Sequence, residues 1–292
     1  MNDKRLINRK ENSTGVTDLE LFKQVLTASC YEQSSWQLYD TFDLEEKEGA
    51  KRSWEHWLKK KIARFLRKYG LGIIKLRPFD LEKRQNGDDW PLFGYTMVGH
   101  KRLDNIKYCL ETVISDGIKG DVIETGVWRG GAMMFAKAVL VKHGDLDRKV
   151  WCADSFKGLP KQFGKDVEIG GDPEMSGMTF LGVAQEDVMR NFELFGLLDQ
   201  NVKFLKGWFH DTLPNAPIDT ISVARLDGDL YESTMDALEN LYPKISSGGF
   251  LIIDDYQSWK GCKLAVNEYR EKHNIDTPIE LIDVHGGFWR KP

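Results

Sequence analysis

The stretch Asp121-Val-Ile-Glu-Thr-Gly126-Val-Trp-Arg-Gly130-Gly131 decides the fold of this chain. Asp121 to Glu124 reads as a short strand, Thr125 to Gly131 as a glycine-containing turn, and about Ala132 to His143 as a helix ended by Gly144. A strand that runs through such a turn into a helix aims the helix's unpaired N-terminal amides at whatever sits above the strand end, and glycines there let a ligand approach the backbone. The turn is not G-x-G-x-x-G, because Trp128 and Arg129 stand inside it, so a dinucleotide pyrophosphate is not its natural ligand.

Working outward, Leu103, Ile106, Leu110, Val113 and Ile114 fall on one face of a preceding helix stopped by Gly117. Downstream, Lys149 to Ala153, Val202 to Leu205, Ile221 to Leu226 and Phe250 to Ile253 are short apolar runs that read as strands. Between the last two lies a helix with Met235, Leu238, Leu241 and Tyr242 inward, closed by Pro243 and a Ser246-Ser-Gly-Gly249 turn. Strands alternating with helices at this spacing predict an α/β fold, a parallel, doubly wound sheet. Ile279 to Val284 and Phe288 to Arg290, joined by His285-Gly-Gly287, predict a terminal hairpin that makes the last strand antiparallel.

Residues 1 to 95 differ in texture, being rich in charge and tryptophan, and are expected to form a helical accessory region before the core domain of residues 96 to 292. Within that region Trp54, Trp57, Leu58, Ile62, Phe65, Leu66 and Tyr69 recur at helical spacing, with Lys59, Lys60, Arg64, Arg67 and Lys68 on the other face. Such a basic amphipathic helix lies on an anionic membrane or packs its aromatic stripe on the core or a second subunit; an oligomer contact, in a homodimer or larger assembly, is the expectation. The long irregular piece Lys161 to Gly182, which follows the second strand, is a candidate lid.

A net charge of −4 gives no basic field for a phosphate backbone, so a small or medium-sized molecule is the expected partner rather than nucleic acid. The cysteines Cys30, Cys109, Cys152 and Cys262 are scattered without a C-x-x-C pair. With a polar N-terminus and no apolar run of membrane-spanning length, they point to a reducing, cytoplasmic location.

Three sets of residues could do chemistry. The glycine turn is the first, and Asp154-Ser155-Phe156 at the end of the second strand is the next, where a carboxylate commonly accepts from a ribose. Together they point to an adenosine-bearing cofactor. The third set is Asp227, in Arg225-Leu-Asp-Gly-Asp-Leu-Tyr231, with Asp254 and Asp255 after the fifth strand. A 27-residue gap from Asp227 to Asp254 is about one strand-helix-strand unit, so these acids emerge from adjacent parallel strands at one sheet edge. Three carboxylates there would repel, and a hard divalent cation such as magnesium, which takes oxygen ligands, resolves the conflict; acids that cap the following helices are the alternative. Asp227-Gly-Asp229 also reads as the D-x-D of nucleotide-sugar-dependent glycosyltransferases, and Tyr256 to Lys260 as the Y-x-x-x-K of short-chain dehydrogenases. Both patterns are short. A catalytically silent cofactor-binding module is a further alternative, against which the gathered acids speak.

With these residues in hand, the chain resembles the macrocin O-methyltransferase family, the magnesium-dependent sugar O-methyltransferases of macrolide and aminocoumarin antibiotic pathways. The phrases that carry the resemblance are Tyr95-Thr-Met-Val-Gly99, Ile123-Glu-Thr-Gly-Val-Trp-Arg-Gly-Gly131, Asp154-Ser-Phe-Lys-Gly-Leu-Pro160, Gly207-Trp-Phe-His-Asp-Thr-Leu-Pro214, Leu226-Asp-Gly-Asp-Leu-Tyr-Glu-Ser-Thr234 and Ile253-Asp-Asp-Tyr256. The resemblance implies a class I methyltransferase fold, Rossmann-like, with seven strands and the last antiparallel. It implies that Glu124, Thr125 and Gly126 line the methionine end of S-adenosyl-L-methionine. Asp154, Ser155 and Phe156 would hold its ribose and adenine, and Gly207, Trp208 and Phe209 would border the adenine. Thr96, Met97, Arg129 and Gly130 join the expected cofactor contacts. Asp227, Asp254 and Asp255 match the family's metal ligands, and Asp227 also its general base. The expected reaction is methyl transfer to a hydroxyl of a sugar or glycosylated natural product, with the hydroxyl activated by the metal. His210, Tyr231 and His285 fall near the expected active edge and receive no catalytic part.

Overall fold

The computed structural model describes residues 18–31, 37–38, 54–89, 91–171 and 179–292. The first elements are α1 (Leu19–Leu26), β1 (Gln37–Leu38), α2 (Trp54–Arg67), β2 (Ile74–Lys75), α3 (Leu81–Asn86) and α4 (His100–Ser115). They are followed by β3 (Asp121–Thr125), α5 (Gly131–Lys142), β4 (Val150–Asp154), α6 (Lys165–Glu168), α7 (Gln185–Leu194), β5 (Val202–Lys206) and α8 (Phe209–Thr212). The chain ends with β6 (Ile221–Leu226), α9 (Tyr231–Leu241), β7 (Ile245–Ile253), α10 (Lys260–Lys272), β8 (Glu280–Leu281) and β9 (Gly287–Arg290).

The seven-stranded sheet runs β5-β4-β3-β6-β7-β9-β8, parallel from β5 to β7, with β9 antiparallel to β7 and to β8. This is the expected α/β, Rossmann-like sheet. Its parallel strands are apolar throughout because both faces are covered, and the period of two deals successive residues to opposite layers. Val122, Cys152 and Val223 enter the core under α4 and α5, whereas Ile123, Trp151 and Ala224 enter the core under α9 and α10.

Helix α5 is buried on every side from Gly131 to Leu140, and its one charge there, Lys137, is paired with Asp199 at 2.7 Å. Helix α4 buries Leu103, Ile106, Leu110 and Val113, the stripe legible in the sequence, and ends where Gly117 takes φ +67° and the Ile118 amide donates to the Val113 carbonyl. Truncating a fully buried leucine such as Leu110 to alanine should cost about 2–5 kcal/mol. Helix α1 packs into the same layer through Leu19, Phe22 and Leu26.

Two elements differ from their sequence reading. Strand β7 starts at Ile245 and runs through Ser246-Ser-Gly-Gly249, which the sequence suggests is a turn. The register against β6 slips between Ile221 and Val223, and Gly248 at φ +81° absorbs the extra length as a bulge, a conformation a side chain would resist. The strand expected over 279–284 shrinks to β8, because Asp283 turns its carboxylate onto the amides of His285 and Gly286. The stripe expected on α2 is exposed: Trp54, Trp57, Ile62, Phe65 and Tyr69 all face outward. Among the described residues no helix is long and apolar enough to cross a membrane. The middle of the candidate lid, residues 172–178, lies outside the described residues.

Candidate active site

From β3 the chain steps outward to β4 and β5, then returns to place β6 on the other side of β3, so the parallel strands diverge above Thr125 and Leu226. A crevice opens at such a switch point, outside the carboxyl ends of the strands. Backbone bonds tie the loops above it into a staircase: Gly126 N to Ala153 O at 2.9 Å, Asp227 N to Thr125 O at 3.0 Å and Asp254 N to Leu226 O at 2.9 Å. The cavity there measures about 740 Å³, within the range of about 300–1,000 Å³ usual for a ligand site.

Most of the sequence-selected residues meet on its lining: Thr96, Met97, Glu124, Gly126, Asp154 and Ser155 on one side, Trp208 and Phe209 near them, and Asp227, Asp254 and Asp255 on the floor. Thr125, Arg129, Gly130, Phe156 and Gly207 are not on it. Thr125 is fully buried, and Arg129 donates to the carbonyls of Leu92 and Gly94 while stacking on the Trp128 ring. The glycines of the turn have a reason other than ligand approach. Gly126, at φ +82°, would set a Cβ 1.9 Å from the Asp227 carbonyl oxygen, and Gly131 would set one 2.5 Å from that of Tyr95. Gly126 lets the ends of β3 and β6 close on each other, and Gly131 lets the start of α5 close on the Tyr95 backbone. Asp154 is bound up with the same turn, accepting from the amides of Val127 (2.7 Å) and Phe156 (2.6 Å), while burial still raises its pKa. Three non-glycine residues around the cavity, Trp128, Phe156 and Asp229, hold positive φ of 48°, 55° and 55°, conformations that cost about 1–3 kcal/mol each and persist only where the surroundings enforce them.

The floor is a charge network that the sequence reading did not identify. Arg225, at 2% exposure, reaches Glu124, Asp227 (3.1 Å) and Asp254. Arg102 pairs with Asp254 at 2.6 Å and with Asp283 at 3.0 Å. These two guanidiniums face Glu124, Asp227, Asp229, Asp254, Asp255 and Asp283, so the floor carries excess negative charge when its acids are ionised. The consequences differ by residue. Burial pushes Glu124 up to about 8 although Arg225 opposes it, and Asp227 up to about 6, with Asp254 adding repulsion. Asp229 rises to about 8 from burial and from Asp227, and Asp255 lies well above the carboxylate range for the same kinds of reason. Burial acts on Asp254 too, but Arg102 and Arg225 outweigh it and hold that carboxyl below its usual value. Asp227, Asp254 and Asp255 each offer an oxygen, all within 4.8 Å of one another.

The other motifs separate cleanly. Tyr256 gives its hydroxyl to Asn267 and stands off the lining, so Tyr256 and Lys260 form no dehydrogenase pair, while Asp229 does join the site. Tyr231 opens α9 and donates to Glu268, whereas His210 and His285 line the cavity. The near part of the candidate lid is docked by reciprocal capping. Asp166 accepts from the amides of Tyr231 (2.7 Å) and Glu232 (3.2 Å), and Glu232 accepts from the Lys165 amide at 2.9 Å.

Comparison with known proteins adds an independent line. Residues 16–291 match the family model described as macrocin-O-methyltransferase (TylF). The chain is 53% identical over 221 residues, covering 72% of itself and 81% of the relative, to the 8-demethyl-8-(2,3-dimethoxy-alpha-L-rhamnosyl)-tetracenomycin-C 4'-O-methyltransferase of Streptomyces olivaceus. It is 51% identical over 213 residues, covering 72% of itself and 80% of the relative, to the demethyldecarbamoylnovobiocin O-methyltransferase of Streptomyces niveus. Among solved structures, the O-methyltransferase NovP superposes with a TM-score of 0.76 at 40% identity, covering 94% of this chain and 97% of that one.

Proposed function

The chain belongs to the macrocin-O-methyltransferase family and is an S-adenosylmethionine-dependent O-methyltransferase, and from that premise we propose a division of labour among its residues for methylating a sugar hydroxyl with a divalent metal's help. The family membership sets aside the nucleotide-sugar reading of Asp227-Gly-Asp229 and the reading of the chain as a silent binding module. Its substrate is a hydroxyl of a sugar or glycosylated natural product, in keeping with the rhamnosyl compound named for the Streptomyces olivaceus relative.

The observation that carries the site assignment is the gathering of Asp227, Asp254 and Asp255 in the switch-point crevice, beside buried Glu124. The donor set is all oxygen, as a hard cation such as magnesium requires. The raised pKa values of Asp227 and Asp255 mark carboxylates short of positive charge. When bound, the cation supplies Lewis-acid polarisation of the substrate hydroxyl and a template for its orientation. Asp254, already gripped by Arg102 and Arg225, anchors the cluster. Asp227 takes the proton of the hydroxyl as the oxygen attacks, which suits a carboxylate in a desolvated site.

The cofactor supplies the methyl as a sulfonium. Glu124, whose Oε2 is buried without a hydrogen-bond partner, would hold the ammonium at the cofactor's methionine end. Asp154 and Ser155 would hold the ribose, and Trp208 and Phe209 would border the adenine. The exposed aromatic stripe of α2 supports self-association, in a homodimer or larger assembly, through the accessory region of residues 1–95. Four free thiols support a reducing, cytoplasmic location. The test is a mass-spectrometric screen for a gain of one methyl group on candidate glycosides, with and without magnesium. A methylated glycoside formed only with the metal supports the reading, and undiminished transfer in excess EDTA refutes the metal's part in it.

A further inference from the structure

Three side chains far apart in sequence meet on the cavity wall outside the metal-binding carboxylates. Asp88 follows α3, Ser258 sits in the turn between β7 and α10, and His285 lies between β8 and β9. His285 Nδ1 stands 2.7 Å from Ser258 Oγ, and His285 Nε2 stands 2.6 Å from Asp88 Oδ1. All three line the cavity, with the His285 and Asp88 side chains 27% and 33% exposed. Nothing in the methyl transfer described above uses them.

The ring is held firmly relative to the reacting centre. The Gln257 amide donates to the His285 carbonyl at 2.7 Å, and the Ser258 amide donates to the Asp255 carbonyl at 3.1 Å, so histidine and serine both hang from the turn that carries Asp254 and Asp255. On the other side the His285 amide donates to Asp283 Oδ1 at 2.8 Å, and Asp283 Oδ2 pairs with Arg102, which pairs with Asp254. Gly286 lies so close behind the metal turn that a Cβ there would come within 3.3 Å of the Asp254 carbonyl oxygen.

The chemistry of the three groups fixes the direction of the chain of hydrogen bonds in its neutral form. An ionised carboxylate only accepts, so Asp88 requires the ring hydrogen on Nε2. Nδ1 is then an acceptor and takes the hydroxyl hydrogen of Ser258. That leaves the Ser258 oxygen, exposed on the cavity wall, with no hydrogen of its own to offer: an acceptor for water or for a donor on the substrate that displaces it. An ether oxygen or a bare carbon at that place would displace the water without replacing its hydrogen bond.

We propose that Ser258 is a specificity-determining residue that accepts a hydrogen bond from a free hydroxyl of the sugar, other than the one methylated, and that His285 and Asp88 position and polarise it. The inference rests on the sugar-directed reading above. It assigns the substrate class more narrowly: a sugar with a hydroxyl that is neither removed nor methyl-capped at the position facing Ser258.

The test uses the full chain with S-adenosylmethionine, magnesium and a set of phenyl rhamnosides, comprising the parent, each monodeoxy derivative and each mono-O-methyl derivative. In the wild type, deoxygenation or capping at one position away from the accepting hydroxyl should lower kcat/KM by roughly ten- to hundredfold. S258A should bring the parent down to the level of that derivative, mainly through KM, while S-adenosylhomocysteine affinity by calorimetry stays unchanged. S258T, which keeps the hydroxyl, should restore the preference, and D88A and H285A should weaken it in part. Retention of the wild-type ranking by S258A overturns the proposal and leaves the sugar reading standing. Failure of the wild type to methylate any of these rhamnosides, with cofactor binding intact, counts against the sugar-directed reading above and overturns the proposal that rests on it.

Discussion

Replacing Arg225 by methionine is the perturbation that probes the floor of the site most deeply. The side chain is 2% exposed and is the shared counter-ion of Glu124, Asp227 and Asp254. Methionine has similar length and no charge, so the variant keeps most of the packing and removes the electrostatics. Taking one partner from a buried ion pair costs about 3–5 kcal/mol. At about 2–4 °C per kcal/mol, the melting temperature should fall by roughly 6–20 °C. The assay is thermal unfolding by circular dichroism in EDTA, which keeps metal binding out of the comparison. A cycle with D254N sharpens it: Arg225 pairs directly with Asp254, so the two substitutions should be non-additive by at least about 1 kcal/mol. A fall below about 3 °C for R225M, or simple additivity with D254N, would refute the account of the network.

Three further outcomes follow from the geometry. G126A places a methyl against the Asp227 carbonyl in a left-handed backbone, so stability should drop by about 2 kcal/mol or more, and turnover should be lost even at saturating cofactor; a variant of unchanged stability that merely binds S-adenosylhomocysteine less well would restore the cofactor-approach explanation of this glycine. D166A removes the cap on α9 and should cost about 1 kcal/mol, with faster hydrogen exchange at the Tyr231 and Glu232 amides; unchanged exchange at those amides would contradict the docking described for Lys165 and Asp166. Burial, with help from Lys23, lowers the pKa of His100, whose Nε2 lies 3.0 Å from Thr27 Oγ1. The unfolded chain therefore takes up the proton first as pH falls, so the histidine's contribution is full above about 6.5 and is lost progressively below it. H100Q should flatten the melting temperature between pH 7 and pH 5 relative to wild type, and an unaltered slope would show the histidine to be uninvolved.

The sheet was largely legible because its parallel strands, covered on both faces, appear as short apolar runs such as Val122-Ile123 and Phe250-Leu-Ile-Ile253. The beginning of β7 was not, since serine and glycine favour turns locally and only pairing with β6 makes a bulged strand of Ser246 to Gly249. The carboxylate trio was legible from one spacing, that of Asp227 to Asp254. Its counter-ions were less so. Arg225 is a single arginine inside the buried run Ile221 to Leu226, two positions before Asp227 and hence on the same side of the strand, a signal that could have been read. Arg102 and the meeting of Asp88, Ser258 and His285 depend on contacts between residues 150 or more apart in the cases of Arg102 with Asp254 and Asp88 with His285, for which no local pattern exists. The turn glycines carry a packing duty that no motif displays: Gly126 also answers to the backbone of Asp227.

The proposed chemistry requires Asp227, Asp254 and Asp255 to hold one divalent cation. Titration of the protein with manganese, followed by the loss of the free-ion electron paramagnetic resonance signal, tests it most directly. One ion per chain is expected in the wild type, displaced by magnesium, with greatly weakened binding in D227N and D255N and S-adenosylhomocysteine affinity preserved. Undiminished manganese binding in both variants, or no stoichiometric binding by the wild type, would contradict it.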